Sequence, residues 1–234
     1  MSTIIVEVIG VAVVTVDFDG TLFRGSSFKV MVRVARKEFS PMQWAVVSGG
    51  LVRATGLGVT KGKNAFRKQF FRSFAKAFRG KTRQELNGFF QRLVNIGIRE
   101  VNQDLVVKIK EHQNKGDSII VLSGALTPFL NIFIRDAGLD VHVISTELYF
   151  NEQDICTDVG TVINGQEKVK KVREWIANAK RNGEITDDEA KEIWAYADSE
   201  SDIPLFEFAK HPIVVNPNNN MKAIANENNW PVLL

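Results

Sequence analysis

The first distinct hydrophobic pattern is the run Val11 to Val16, apolar and β-branched, which reads as a buried strand. From residue 24 the period becomes helical, with segments over 26–39, 42–56, 60–79 and 82–101 separated by Pro41, by Gly56 and Gly58, and by Gly80. Gly49 and Gly50 lie inside the second segment and weaken it as a helix. In the third, Phe66, Phe70, Phe74 and Phe78 recur every four residues with Phe71 beside them. Lys63, Arg67, Lys68, Arg72, Lys76 and Arg79 take much of the remaining surface.

Beyond residue 103 strands and helices alternate. A helix over 104–115 ends at Gly116, and Ser118 to Leu122 reads as a buried strand with Ser123-Gly124 at its end. A helix over 128–137 follows, with Thr127 as N-cap and Pro128 at its first position. Val141 to Ser145 gives another strand, and 146–163 reads as one or two hairpins turning at Asn151 and Gly160. Gly165 to Asn182 is helical, and 186–192 is an acidic helical turn with capping-box spacing between Thr186 and Glu189. Ile193 to Ala197 and Pro212 to Val215 are the closing strands, before a helix over 221–228. This order predicts an α/β fold with a parallel sheet, interrupted after its first strand by an all-helical segment. The predicted division is a core from 1–23 and 104–234 and a helical module over 24–103.

Charge marks the same boundary. Residues 24–103 hold 17 Lys or Arg against Glu38, Glu85 and Glu100, a balance of +14, while the rest of the chain balances at −11. Such a surplus predicts an anionic partner for the helical module. One reading is an anionic membrane surface docked by the basic, Phe-rich third helix. The other is a small bundle whose phenylalanines form its core, favoured because four consecutive helices need a shared interior. Nucleic acid is disfavoured, because no reading motif accompanies the charge. The lone Cys156 and the absence of a long apolar run or basic leader predict a cytoplasmic protein without disulfides.

The candidate chemistry sits at strand ends. Asp17 and Asp19 follow the first strand at i, i+2, so an extended backbone would aim both the same way, and Gly20 permits a turn beside Thr21. Two carboxylates held together call for a cation or a shared proton. Asp198 and Asp202 end a second strand, and such oxygen ligands suit Mg²⁺. Ser123 and Gly124 offer a hydroxyl and an N–H at a third strand end. Lys168, in the first turn of its helix, opposes the helix dipole. Either solvation explains it, or it balances the carboxylates and holds a phosphate.

Asp17-Phe-Asp-Gly-Thr21, Ser123-Gly124, Lys168 and Asp198-Ser-Glu-Ser-Asp202 stand in the order of the four motifs of the haloacid dehalogenase-like (HAD) superfamily, which this sequence resembles. The helical insert resembles the C1 cap of its phosphoserine phosphatase-like branch, subfamily IB. Tyr196 to Phe206, and Val214 to Pro217 with Asn229 to Leu233, are similar to that branch's last motif and C-terminus. The resemblance implies a Rossmann-like core and a phosphomonoester hydrolase acting on a small phosphorylated substrate. It implies Asp17 as nucleophile and Asp19 as general acid and base. Mg²⁺ would be held by Asp17, the Asp19 carbonyl and Asp198, with Asp202 as ligand or support. Ser123, Gly124 and Lys168 would bind the phosphoryl group. It also implies a hinge near Arg24–Ser26 and Asn102–Asp104.

One departure bears on the substrate. Phosphoserine phosphatases resemble one another in a glutamate shortly after the first motif, where this chain reads Leu22-Phe-Arg-Gly-Ser-Ser-Phe28. Phosphoserine is therefore not the expected substrate, and Arg24, Lys29 and Arg33 are candidates for selecting a more anionic one. Two alternatives keep the scaffold: a membrane-surface phosphatase of a lipid phosphate, and a non-catalytic protein that binds a phosphorylated ligand.

Overall fold

The first strand, β1 (Val13–Asp17), is buried along its whole length and takes a parallel partner on each side. The computed structural model describes residues 11–61 and 63–234, with the side chains of all of these except 57–68. On one side of β1 lie β2 (Ser118–Leu126) and then β3 (His142–Thr146); on the other lie β6 (Ile193–Ala197), β7 (His211–Val215) and β8 (Val232–Leu233). All five pairings in this sheet are parallel, so every strand delivers its C-terminal end to one edge. Taken by chain position the order is that of a doubly wound Rossmann-like sheet, whose ligand crevice opens where the winding reverses beside β1.

The strands' apolar side chains face helices on both sides. Val14, Val16 and Val121 meet Leu105 and Ile109 of α5 (Gln103–Asn114) and Phe133 of α6 (Thr127–Asp136) in one cluster. Val13, Ile120 and Ala195 share the other with Val172 of α7 (Gln166–Arg181), Phe206 of α8 (Ile203–Phe208) and Met221 of α9 (Asn219–Glu227). Beside the sheet, β4 (Leu148–Phe150) and β5 (Cys156–Val159) form an antiparallel hairpin.

Between β1 and α5 run α1 (Ser27–Glu38), α2 (Pro41–Lys61), α3 (Lys63–Lys76) and α4 (Arg83–Gly97). Phe70, Phe74 and Phe78 are buried against Phe39, Phe89 and Phe90. The apolar face of α3 is therefore turned inward, and the reading of that helix as a membrane-docking face is corrected for these residues. The side chains of Lys63, Phe66, Arg67 and Lys68 lie outside the described residues. Among the described residues, no helix is long and apolar enough to cross a membrane.

The second and third helices were expected to part at Gly56 and Gly58, yet α2 runs through both to Lys61. Gly50 shows what holds it: a Cβ there would stand 2.0 Å from the Cβ of Ser73 on α3. The glycine that costs helix propensity lets α2 and α3 approach, and that contact offsets the cost.

Besides the packing of α4 on α6, where Gln91 donates to Asp136 (2.8 Å), backbone hydrogen bonds tie the helical module to the core at two places. Where the chain crosses between them, Asn102 N–H donates to the Leu22 carbonyl (2.8 Å), Arg24 N–H donates to the Glu100 carbonyl (2.9 Å), and the Arg24 guanidinium pairs with Asp104 (3.0 Å). At the far end, Gly80 N–H donates to the Cys156 carbonyl (2.9 Å) and Cys156 N–H to the Lys81 carbonyl (2.8 Å), which fastens the β4–β5 hairpin to the turn before α4. Arg79–Asp158 (2.7 Å) and Arg83–Asp154 (2.9 Å) flank it. Part of the charge asymmetry thus resolves into ion pairs between a basic module and an acidic core.

Three boundaries differ from expectation. β2 continues past Ser123-Gly124 to Leu126. Leu126, not Thr127, occupies the N-cap of α6; the Thr127 hydroxyl instead hydrogen-bonds that of Ser145 (2.8 Å). Pro212 to Val215 is not the last strand, since Val232–Leu233 pairs with β7 as β8. Two residues are too short a run for periodicity to register.

Candidate active site

Strand β1 ends at Asp17, and the chain at once folds back on itself. Leu22 N–H donates to the Asp17 carbonyl and Phe23 N–H to the Phe18 carbonyl (2.8 Å). Gly20 makes this turn possible with φ +84°. A Cβ on it would also stand 2.2 Å from Oδ2 of Asp198, so the glycine leaves room for that carboxylate. The strand ends at Asp17, so Asp19 reaches the same pocket through a tight turn rather than by strand alternation, which is a correction to the extended geometry expected for the pair.

Asp17 is buried, and its Oδ1 accepts from Lys168 Nζ at 2.5 Å. The same ammonium donates to Oδ1 of Asp202 at 2.5 Å. Lys168 is 3% exposed, which excludes solvation as the explanation for a lysine at a helix start. Ser199 Oγ donates to the second oxygen of Asp202 (2.8 Å), and Thr21 Oγ1 lies 3.3 Å from Oδ2 of Asp17 and 3.4 Å from Oδ1 of Asp198. Asp198 follows directly on β6, at the same sheet edge as Asp17.

Asp17, Asp198 and Asp202 each present a carboxylate oxygen within 4.8 Å of the others. Burial raises the Asp17 carboxyl well above the usual range; Lys168 pulls against that shift, and Asp202 and Asp198 add to it. Asp198 is pushed up to about 6, by burial first and then by Asp202. Burial draws Lys168 down, but Asp17 and Asp202 together outweigh it and hold the ammonium above the usual lysine range. Three carboxylates against one ammonium leave negative charge unmatched in a half-closed site. That imbalance, with an all-oxygen donor set, fits a hard divalent cation such as Mg²⁺.

Asp19 stands apart from this trio. Its Oδ1 accepts from Ser27 N–H at 2.5 Å and its Oδ2 from Ser27 Oγ at 2.7 Å. Ser27 begins α1, so the carboxylate sits at a helix N-terminus, where the dipole favours the anion.

Ser123 and Gly124 fall where the β2–β3 register shifts between Leu122 and Leu126, an irregularity that re-aims side chains. Ser123 Oγ accepts from Ala125 N–H (3.0 Å) and keeps its proton to donate; Thr146 Oγ1 donates to the Gly124 carbonyl (2.9 Å). Asp17, Asp19, Ser123, Gly124, Lys168, Asp198 and Asp202 all line one pocket of about 240 Å³. Its other walls include Ser26, Phe28, Phe70 and Phe71, with Phe28 edge-on to Phe70 at 4.6 Å.

Arg24, Lys29 and Arg33 are not brought into this pocket; they line an adjoining groove. Sequence reading missed Ser27, Ser199 and Thr146, whose hydroxyls hold the site in place, and the aromatic wall from α1 and α3. Ser27 has a readable signal, being the serine that precedes the apolar face of α1. The wall has none, because Phe70 and Phe71 come from a helix some fifty residues away in the chain.

A family model described as haloacid dehalogenase-like hydrolase matches residues 14–207. The histidinol-phosphatase of Neisseria meningitidis serogroup C (strain 8013) is 29% identical over 131 residues, covering 53% of this chain and 55% of that protein. A probable phosphatase of Mycobacterium tuberculosis (strain ATCC 25618 / H37Rv) is 26% identical over 125 residues, covering 53% and 41%. The chain spans about half the length of the curated relatives it matches. Among solved structures, a protein from Bordetella pertussis Tohama I superposes with TM-score 0.75 at 19% identity, over 96% of this chain and 98% of that one. A phospho-aspartyl intermediate analogue of phosphoserine phosphatase superposes with TM-score 0.56 at 19% identity, over 92% and 90%. At these identities the structural likenesses show a shared fold.

Proposed function

The chain belongs to the haloacid dehalogenase-like hydrolases, and from that premise we propose that it hydrolyses a small phosphomonoester through an aspartyl-phosphate on Asp17. The observation that carries this reading is the division of labour among four carboxylates. Asp17 is gripped by Lys168 beside Asp198 and Asp202, whereas Asp19 is held separately by Ser27.

Asp17 supplies the nucleophilic oxygen and is fixed in place by Lys168 and Thr21. Asp19 protonates the leaving alcohol and later takes the proton of the attacking water, a role that needs a carboxyl outside the metal-binding set. Ser123 Oγ, the Gly124 N–H and Lys168 face the phosphoryl oxygens and offset the charge that develops on them. Asp17, the Asp19 carbonyl and Asp198 would hold Mg²⁺, with Asp202 behind them anchoring Lys168 through its ion pair. When bound, Mg²⁺ neutralises the carboxylates and shares the charge of the transferring group.

In this reading residues 24–103 are a C1-type cap of subfamily IB over a core of 1–23 and 104–234, working in the cytoplasm. Phe28, Phe70 and Phe71 form the cap's side of the pocket and exclude water from it. Among the described residues, no glutamate or aspartate of the cap lines the pocket, which argues against a substrate amine such as that of phosphoserine. The test is p-nitrophenyl phosphate hydrolysis with Mg²⁺, with EDTA, and with Asp17→Asn. Turnover that requires both the metal and Asp17 is expected. Turnover that survives Asp17→Asn would overturn the assignment of the nucleophile.

A further inference from the structure

The basic positions that follow the first motif gather in a groove of about 790 Å³ lined by Arg24, Lys29, Arg33 and Arg36. The groove shares two wall residues, Ser26 and Phe28, with the catalytic pocket, so the two adjoin across the first turn of α1. Lys29, Arg33 and Arg36 are exposed and spaced i, i+4, i+7, which sets them on one stripe of that helix. The stripe climbs away from the pocket for about 10 Å.

Among the described residues Lys29, Arg33 and Arg36 share with Lys37, Arg53, Arg72, Lys76 and Arg99 the lack of an ion pair, but they alone of these line the groove. Arg79, Lys81, Arg83 and Arg92 each have a carboxylate partner. At the mouth of the groove Arg24 is engaged by Asp104 and Asn102, and Glu100 also faces the cavity. Among the described residues, no carboxylate lies within ion-pair distance of Lys29, Arg33 or Arg36. Three cations along one wall of a concavity concentrate anions there. The same helix carries Ser27, which orients Asp19. An anion seated on the stripe is thus placed in fixed relation to the leaving-group acid.

We propose that this groove is a subsite for a second anionic group of the substrate, a phosphate or a carboxylate carried on the same molecule as the phosphoryl group that is cleaved. Lys29, Arg33 and Arg36 are then specificity residues, while Arg24 closes the groove through its ion pair with Asp104. The inference rests on the phosphatase reading above and adds the substrate's charge pattern to it.

The experiment compares kcat/KM for three sets of esters of matched chain length: alkyl monophosphates, alkanediol bisphosphates and ω-phosphoalkanoates. Wild type should prefer the two-headed substrates over the monophosphates by about ten-fold, as expected for a contact with a charged hydrogen-bonding group. The preference should appear in KM and shrink with added salt. In the triple variant Lys29→Gln, Arg33→Gln, Arg36→Gln the ratio should fall towards one. In a variant that loses charge elsewhere, Lys115→Gln with Lys222→Gln, it should persist. The bisphosphates and phosphoalkanoates between them tell which anion the groove takes. A ratio near one in wild type, or a preference that survives the triple variant, overturns the subsite. If p-nitrophenyl phosphate is still turned over, the phosphatase reading stands without it; if no phosphomonoester is turned over, both fall.

Discussion

Replacing Asp198 by Asn should make the metal-free protein more stable while abolishing its response to Mg²⁺. Asp198 is mostly buried beside Asp17 and Asp202, and its pKa is pushed from 3.8 up to about 6. A carboxyl whose pKa is higher folded than unfolded binds more protons in the native state between those values. Stability therefore falls as pH rises through that window, from about 4 to about 6, and stays low above it. Two pH units correspond to about 3 kcal/mol, and the remaining exposure of Asp198 trims this to roughly 2 kcal/mol. The amide of Asn keeps the shape and the Thr21 contact without the charge. In a chain of this size the gain amounts to about 4–8 °C in melting temperature. The assay is thermal unfolding in EDTA at pH 7.5 and pH 4.5, repeated with excess Mg²⁺. The variant should melt higher than wild type at pH 7.5 in EDTA, and the gap should shrink at pH 4.5. Mg²⁺ at about a hundred times its Kd should raise wild type by about 2.7 kcal/mol and leave the variant unmoved. A variant that melts below wild type in EDTA at both pH values would refute the reasoning, because the carboxylate would then be stabilising in its own right.

Three other substitutions test neighbouring parts of the account. Ser27→Ala removes the hydroxyl bound to Asp19 Oδ2; kcat/KM, which reports formation of the phospho-enzyme, should drop roughly ten-fold on alkyl phosphates and much less on p-nitrophenyl phosphate, whose leaving group needs little protonation. An equal loss on both would deny Asp19 the acid role. Gly20→Ala puts a Cβ against Asp198 at a φ of +84°; it should cost about 1–3 kcal/mol and raise the Mg²⁺ concentration needed for half-maximal activity. Phe74→Ala should destabilise by about 3–5 kcal/mol in urea unfolding, since Phe74 is fully buried among Phe39, Phe70 and Phe78. A loss of less than about 1 kcal/mol would mean that α3 is not packed as described.

The features legible in the sequence are those that one short segment encodes. An apolar strand followed by Asp17, Asp19 and Gly20 carries its own strand, turn and charges, and Ile193 to Asp202 does the same. Lys168 was ambiguous until its surroundings were known, because a buried ion pair and a solvated lysine look alike in one dimension. Its two partners lie 151 and 34 residues away. Gly50 misled for the same reason: as a local signal it breaks a helix, and only the close approach of Ser73 explains it. Arg24, Lys29 and Arg33 were expected to face the site itself, and they line the adjoining groove instead. Helix periodicity turns Lys29 and Arg33 outward while Ser27 faces Asp19, so one turn of α1 serves both pocket and groove.

The central claim is covalent, and a single-turnover experiment addresses it directly. Wild-type protein and Asp17→Asn are mixed with Mg²⁺ and a phosphomonoester labelled at phosphorus, quenched in acid within one turnover, and the protein-bound label is counted. The account predicts label on wild type that is released by hydroxylamine, as an acyl phosphate is, and that maps to the peptide containing Asp17, with none on the variant. Hydrolysis that proceeds with no label on the protein at any quench time, or label that maps elsewhere, would contradict it.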